Sequence, residues 1–203
     1  MNQQVPPEEA ALLEEMKRSW AEQFHFFSNP AKEERERWVA GEFLTHLGIS
    51  FSDAELRSHP QASKTDVEFR DALFQVKEIT DPNFKRGDEV KATYRRVMAA
   101  KTLQDTVGPG LAYDVPASAC GYELVHAVAT ELGASATYRD HKANLDLLCY
   151  ITRTRTSPIS AEQERLQELA TIGWRSISCL FGKQATVIYA GTEAPAFLRG
   201  AAR

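Results

Sequence analysis

The sequence predicts a mixed α/β protein in which helices cover both faces of one sheet, and three observations support this class. An N-terminal segment carries apolar residues at helical spacing, as in Leu13, Met16 and Trp20. Two strand-like runs at residues 65–69 and 73–79 are separated by only three residues, as in an antiparallel hairpin. The rest of the chain alternates between helical and buried-strand patterns, an order typical of a layered α/β fold.

Chain-breaking residues and apolar periodicity set the bounds of the predicted elements. Acidic residues fill the first turn of the first helix, where the helix dipole favours them. Asn29 and Pro30 end that helix, and Gly48 ends the next one. In chain order the sequence predicts a helix at 8–27, a second helix up to Gly48, a short strand at 49–51, a loop or helical turn at 52–64, hairpin strands at 65–69 and 73–79, helices at 88–103 and 118–132, a strand at 145–152, a helix at 161–170, and strands at 175–180 and 186–190.

The length of the chain favours one domain. A chain of 203 residues can bury a substantial core without disulfides or a structural metal, so we expect a single domain over residues 1–203. Within it we expect a helical extension at 1–29, a motif-bearing core at 34–104, and the remaining sheet with its covering helices at 105–203.

Cysteine usage and the absence of export signals indicate the compartment. Cys120, Cys149 and Cys179 are far apart and form no C-x-x-C pair, which argues against a disulfide framework and against a zinc knuckle. The N-terminus lacks the basic start and apolar core of a secretory signal. No apolar run approaches the ~20 residues that cross a bilayer. We therefore expect a cytoplasmic protein with no membrane partner.

Charge is unevenly distributed along the chain. A formal net charge of −4 opposes indiscriminate binding to nucleic acid, which depends on Lys and Arg. Residues 85–101 nevertheless carry six basic residues against two acidic ones. This segment is either a phosphate-binding face or the solvated face of an amphipathic helix, the commoner case. Arg153 and Arg155 follow a predicted strand and are interpreted as a polar strand end, with a nucleic-acid groove as the alternative.

Four aromatic residues cluster around the end of the first predicted helix. Its members are expected to join the core, or alternatively to mediate a homodimer through this helix. They are Trp20, Phe24, Phe26 and Phe27.

The hairpin carries the residues that point to chemistry. Side chains alternate across a strand, so Gln75 and Lys77 share one face while the apolar Phe74 and Val76 share the other. An ammonium group in a largely apolar strand requires an anionic partner or another reason to be there. Asp66 on the paired strand can lie close by and supply that partner.

This arrangement resembles the PD-(D/E)XK nuclease superfamily, which places an Asp on one strand, an acidic residue and a Lys two positions apart on the next, and a further acidic residue on a preceding helix. Asp66 and Lys77 match their positions, and Gln75 occupies that of the second carboxylate. Glu42 is the choice for the helical acid, with Glu36 as its competitor. The whole sequence also resembles a bacterial endonuclease-labelled family, domain-of-unknown-function family 1780.

The resemblance implies a fold and a mechanism. The fold is a restriction-endonuclease-like three-layer α/β/α core around a mixed sheet, with an added N-terminal helix. Asp66, Glu42 and Gln75 are expected to hold Mg²⁺ with the backbone carbonyls of Gln75 and Val76. Lys77 is expected to position the attacking water, and the metal to polarise a phosphodiester in nucleic acid. Basic residues of the predicted helix 88–103 are expected to bind flanking phosphates: Lys91, Arg95 and Arg96.

Two departures from the superfamily pattern leave alternatives open. Thr65 replaces the usual Pro, and Gln75 removes one negative charge from the cation site, which Glu68 or Glu78 could restore. The first hypothesis is a Mg²⁺-dependent endonuclease. The alternatives are an inactive nuclease-like fold that binds nucleic acid or regulates, and an interaction protein that assembles through its first helix.

Overall fold

The computed structural model describes residues 6–60, 62–82, 86–108, 116–159 and 163–202 of the chain. In these ranges the fold is mixed α/β, as the sequence predicts. The helices are α1 (Pro7–Phe26), α2 (Lys32–His46), α3 (Arg86–Ala99), α4 (Leu103–Thr106), α5 (Gly121–Ala134), α6 (Gln163–Ile172) and α7 (Ala196–Ala201). The strands are β1 (Leu56–Ser58), β2 (Val67–Phe69), β3 (Ala72–Ile79), β4 (Ala119–Cys120), β5 (Asp146–Ile151), β6 (Thr156–Ser157), β7 (Ser176–Phe181) and β8 (Gln184–Ala190). None of the helices in these ranges has the length and apolar character that a membrane span requires.

The chain divides into two compact units. The first consists of Met1–Arg35 and Asn83–Val115, and the second of Glu36–Pro82 and Pro116–Arg203. The division falls within α2, between Arg35 and Glu36. That the whole chain forms one domain stays a prediction.

The first unit is helical. α1 packs against α3, where the rings of Phe24 and Tyr94 stack with their centroids 4.4 Å apart. Val97 is buried, but Met98, which the helical pattern places inward, is 43% exposed. The two neighbours differ because successive residues of a helix lie about 100° apart around its axis. Assembly of two chains through α1 stays a prediction.

The second unit is built on a mixed six-stranded sheet with strand order β1-β2-β3-β5-β7-β8. β1, β2 and β3 pair antiparallel, β3, β5 and β7 pair parallel, and β8 returns antiparallel to β7. β4 and β6 form a separate two-stranded parallel pair.

Two buried clusters lie on opposite faces of the six-stranded sheet. The first core contains α2 and α7 residues with one set of strand side chains, including Phe43, Phe74 and Leu148. The second core contains α5 and α6 residues with the other set, including Leu147 and Cys149. Because neighbouring strand residues face opposite ways, these two clusters make the second unit a three-layer arrangement of helices, sheet and helices.

A buried carboxylate joins the central strands at the edge where the parallel strands begin. Asp146 is fully buried and accepts hydrogen bonds from Ser176 Oγ at 2.7 Å and from the backbone N of Leu73 at 2.9 Å. Arg175 contacts both of its oxygens and also donates to the carbonyl of Asp71 at 3.0 Å. This clamp holds the β2–β3 hairpin against β5 and β7.

Several predicted elements differ from the structure. No strand forms at residues 49–51; the strand that borders the hairpin is β1, within the stretch expected to be a loop or helical turn. With three residues, β1 is too short to show an alternating pattern. The predicted helix at 161–170 is α6, although residues 161 and 162 lie outside the described ranges. The C-terminal helix α7, which is six residues long, is missing from the prediction.

Two predicted helix boundaries are wrong for local reasons. The helix predicted to reach residue 103 ends at Ala99, since the carboxylate of Asp105 accepts the backbone N–H groups of Lys101 and Thr102 and starts a new helix there. The helix predicted from residue 118 begins at Gly121. A Cβ at Gly121 would lie 2.7 Å from the carbonyl oxygen of Ser157, because β4 pairs with β6 just before it.

Candidate functional site

The pairing between β2 and β3 opens at Asp66. The ladder runs from Phe69 opposite Ala72 to Val67 opposite Phe74, and Asp66 N then donates to the carbonyl of Phe74 at 2.8 Å. The next backbone amide of β3 on this side is that of Val76. It donates at 2.8 Å to the side-chain oxygen Oδ2 of Asp66 instead of to a backbone carbonyl. A carboxylate therefore ends the ladder, while β3 continues beside β5 as far as Ile79.

Gln75 is fixed by the same carboxylate. Its amide nitrogen Nε2 donates to Asp66 Oδ2 at 2.6 Å and lies 3.3 Å from the carbonyl oxygen of Val76. Of the two polar atoms of the amide, only the nitrogen can donate to a carboxylate, so this contact determines which way the amide points. The carbonyl oxygen Oε1 is left buried and without a hydrogen-bond partner in the described part of the chain. Asp66 is 5% exposed and Gln75 7% exposed.

Lys77 lies on the same face of β3, two residues further along. Its side chain is exposed, and no hydrogen bond or ion pair is seen for it among the described residues. Its register partner on β5 is Cys149. Burial raises the pKa of the Cys149 thiol to about 12, and the nearby charge of Lys77 opposes that rise. The thiol is therefore an inert core group, and Lys77 presents its ammonium group to solvent.

A histidine and a glutamate extend the polar face across β2 towards β1. The backbone N of His59 donates to the carbonyl of Asp66 at 2.9 Å, which places these two residues opposite each other. The His59 ring nitrogen Nε2 lies 3.1 Å from Glu68 Oε2, and Arg57 approaches the other carboxylate oxygen of Glu68 at 3.6 Å. Sequence reasoning missed His59, because its place beside Asp66 depends on the short strand β1 that the pattern does not reveal.

The two candidate helical acids differ in position. The buried stripe of α2 contains Glu36, Val39 and Phe43, and Glu36 is 8% exposed. The carboxylate of Glu42 lies off this stripe, with 41% of its side chain exposed, and approaches His46 Nε2 at 3.5 Å.

The faces of the sheet bear on this choice. The stripe of α2 packs into the first core, whereas alternation places Gln75 and Lys77 on the face of the second core. Glu36 is thus the more buried of the two acids, and both belong to a helix on the other face of the sheet.

The basic residues of α3 belong to the first unit. Lys91 and Arg95 are exposed. Arg96 is used locally, since its Nε donates to the carbonyl of Thr106 at 3.1 Å and its Nη2 to Thr93 Oγ1 at 3.4 Å. Two of the three residues expected to bind phosphate therefore have free basic groups in the described structure.

The oxygen donors on the hairpin fit a hard cation that keeps most of its own waters. They are the Asp66 carboxylate, the unpartnered Gln75 Oε1 and the carbonyl of Val76, and such oxygens are the ligands that Mg²⁺ prefers. Within the described ranges no group of three or more His, Cys, Asp or Glu side chains is placed to hold a metal ion. The fit is thus to a cation held by few protein ligands.

These features define a mixed α/β protein whose opened hairpin carries a buried Asp–Gln pair and an exposed Lys. Over residues 8–203 the chain matches the family described as "Putative endonuclease, protein of unknown function (DUF1780)", and it belongs to that family. No functionally curated protein matches the sequence.

A solved structure supports the fold. It is a protein of unknown function from Pseudomonas aeruginosa strain PAO1, described as a member of a monooxygenase superfamily. Its identity to this chain is 24%, with a TM-score of 0.60, and the match covers 100% of this chain and 93% of the other. At this identity the likeness concerns the fold alone.

Proposed function

We propose that the protein is a phosphodiesterase of the nuclease type, with its centre on the hairpin at Asp66, Gln75 and Lys77. The observation that carries the proposal is the Asp66–Gln75 pair at the point where β2 leaves β3. It combines a buried carboxylate with an amide oxygen that has no partner in the described structure. A buried polar atom left in this way costs free energy unless a ligand satisfies it. The family description, which names an endonuclease, agrees with this chemistry.

The residues of the centre have separable roles in the hydrolysis of a phosphodiester by water. Asp66 and Gln75 would supply oxygens for Mg²⁺, whereas Glu36 and Glu42 belong to a helix on the other face of the sheet and stay an untested prediction for a further acid. A cation bound there would supply Lewis-acid polarisation of the phosphate. Lys77 neutralises the negative charge that develops on the phosphoryl oxygens and orients the attacking water. Phosphate binding by Lys91 and Arg95, which belong to the first unit, is proposed separately.

A second candidate function is a nuclease-like fold that binds nucleic acid without cutting it. The specific observation that favours it is the use of Asp66 Oδ2 by two N–H donors, Gln75 Nε2 and Val76 N. In this role the carboxylate would close the end of the ladder instead of holding a cation. Asp66 and Gln75 then fix the hairpin, whereas Lys77 makes no structural bond in the described part of the chain.

The test is metal-dependent cleavage by the wild type and by Lys77→Ala. Single- and double-stranded DNA and RNA are incubated with the full chain in Mg²⁺, Mn²⁺ or EDTA. We expect cleavage in the metals and none in EDTA, with kcat reduced ~10²-fold or more by Lys77→Ala, since a group that stabilises transition-state charge is lost. The matched control is Lys183→Ala, which removes an exposed lysine from the β7–β8 turn of the same unit.

The outcomes separate the two candidates. Cleavage that persists unchanged in Lys77→Ala would place the activity elsewhere or in a contaminant. Binding without cleavage under every metal condition would establish the second candidate in place of the first.

A further inference from the structure

A short arginine-bearing segment follows β5 at the edge where the parallel strands β3 and β5 end. We call it the arginine loop and define it as residues 152–156. In open α/β sheets, ligands bind preferentially beyond the carboxyl ends of the strands. The loop lies at this edge and contains Arg153 and Arg155.

The arginine loop is held firmly by the end of β3. The carbonyl of Ile79 accepts the backbone N–H groups of Thr152 and Arg153, at 2.9 and 3.1 Å. The carboxylate of Asp81 accepts both the backbone N and the hydroxyl of Thr154, at 3.0 to 3.1 Å. A second hydroxyl bond, from Thr152 Oγ1 to Glu78 Oε1 at 2.8 Å, joins the start of the loop to β3. Hydrogen bonds to β3 and to Asp81 therefore fix the backbone of the arginine loop.

Arg155 occupies a backbone conformation that suits glycine. Its φ is 50°, in the left-handed region, which L-residues other than Asn, Asp and Gly adopt at a cost. Such a residue persists when the surrounding structure requires it or when its side chain is needed. The side chain of Arg155 is exposed and makes no hydrogen bond in the described structure. Within the described residues, no contact of the Arg155 guanidinium offsets the cost of this backbone conformation.

Among the described residues, the two arginines of the loop have no carboxylate partner. Arg153 is half-buried, donates through Nη2 to the carbonyl of Ala117 at 3.1 Å, and leaves its Nε buried without an acceptor among the described residues. Neither Arg153 nor Arg155 forms an ion pair in that part of the chain, although Glu78 and Asp81 lie in the same network. Five other arginines of the second unit do form ion pairs: Arg57, Arg70, Arg139, Arg165 and Arg175.

We infer that the arginine loop is a phosphate clamp for the backbone of a nucleic acid. Guanidinium groups bind phosphate oxygens through paired N–H donors, and a phosphate oxygen would supply the acceptor that Arg153 Nε lacks. This inference rests on the proposed function and names how its substrate is held. The arginine loop is hydrogen-bonded to the carbonyl of Ile79, which lies two residues beyond Lys77 on β3. A nucleic-acid strand that binds across Lys77 and continues beyond the ends of β3 and β5 would reach the arginine loop.

Binding through phosphate contacts of this kind is independent of base sequence and depends strongly on salt concentration. The logarithm of the observed binding constant Kobs falls linearly with the logarithm of the salt concentration. Each phosphate contact makes this slope more negative by about 0.9 for duplex DNA and by about 0.7 for single strands. Removal of one arginine should therefore lower the magnitude of the slope by that amount and weaken binding about equally for every sequence.

The test measures binding of fluorescein-labelled single-stranded DNA, single-stranded RNA and duplex DNA in EDTA, between ~50 and ~200 mM salt. The variants are Arg155→Gly, which relieves the left-handed backbone, and Arg155→Lys, which keeps the charge. The control is Arg199→Ala, which removes an exposed α7 arginine that also has no ion pair in the described structure. We expect Arg155→Gly to melt no lower than wild type and to bind about fivefold to tenfold more weakly at ~0.1 M salt, with the reduced slope. Arg155→Lys should retain most of the affinity and the control should behave as wild type.

The result also distinguishes the clamp from the proposed cleavage. A smaller salt slope in Arg155→Gly together with no cleavage by the wild type would support the phosphate clamp and contradict the proposed phosphodiesterase function. Cleavage by the wild type with unchanged affinity and slope in Arg155→Gly would overturn the clamp alone. An equal loss in the Arg199→Ala control, or no binding to any of the three probes, would also overturn it.

Discussion

Gln75 has an amide where the nuclease motif that the hairpin resembles has a carboxylate, and this difference determines which hydrogen bonds Asp66 makes. The amide donates a hydrogen bond to Asp66 Oδ2, which a second carboxylate could not do when ionised. The pair is therefore stable without a cation. A site with two carboxylates at this distance would require a cation or a proton to offset their repulsion.

Gln75→Glu should make the hairpin dependent on metal. In EDTA we expect the variant to be less stable by ~1–3 kcal/mol, because a hydrogen bond is lost and like charges meet in a buried place. Added Mg²⁺ or Mn²⁺ should raise its melting temperature more than that of the wild type, since a ligand that binds only the folded state stabilises it. Thermal denaturation with and without metal provides the measurement.

The control for this substitution is Gln184→Glu, which adds the same charge at an exposed position of β8. It should leave both the stability and the metal response unchanged. A Gln75→Glu variant that is as stable as the wild type and insensitive to metal would contradict the assignment of the hairpin as a cation site.

At the scale of elements, the sequence gives strong information where a pattern is long and local. The hairpin strands follow from alternation over residues 65–79, and β2 and β3 form there. β1 and α7 are missing from the prediction because three and six residues carry too little periodicity. For the same reason His59 is not recognisable as a neighbour of Asp66, since strand register is a tertiary property.

The clamp around Asp146 sets the position of the hairpin relative to the parallel strands. We expect Arg175→Ala to lower the free energy of unfolding by ~3–5 kcal/mol, because a fully buried carboxylate loses its charged partner. Arg139→Ala, which removes an exposed partner of Asp140, should cost less than ~1 kcal/mol. Urea denaturation of both variants gives the comparison.

A functional readout extends this test to the site. If the clamp positions the hairpin, Arg175→Ala should also reduce activity or nucleic-acid binding under conditions in which it remains folded. If Arg175→Ala lost no more stability than Arg139→Ala, the contacts between Arg175 and Asp146 would contribute little to the fold.

At the scale of the whole molecule, the three thiols report the state of the second unit. Burial raises the pKa of Cys149 to about 12 and that of Cys179 also well above its ordinary value, whereas Cys120 is only half-buried. At pH 8 we expect a thiol reagent to label Cys120 in the native protein and all three thiols in urea. Labelling of more than one thiol in the native state would show that the second core opens readily.

The same shifts predict weakening of the fold in alkali. A thiol whose folded pKa is raised holds its proton more tightly in the folded state than in the unfolded chain. Its contribution to stability is therefore complete below about pH 9, the ordinary value, and is lost as the pH rises towards about 12. The free energy of unfolding should decline across this range.

The carboxylate at the end of the β2–β3 ladder has a consequence for how relatives of this protein are interpreted. Asp66 takes the place of a backbone carbonyl, so the hairpin would need it even in a relative without the proposed hydrolysis. Lys77 has no structural bond of this kind in the described residues. If the proposed hydrolysis is correct, the lysine, and not the aspartate, is therefore the residue that would distinguish active from inactive relatives.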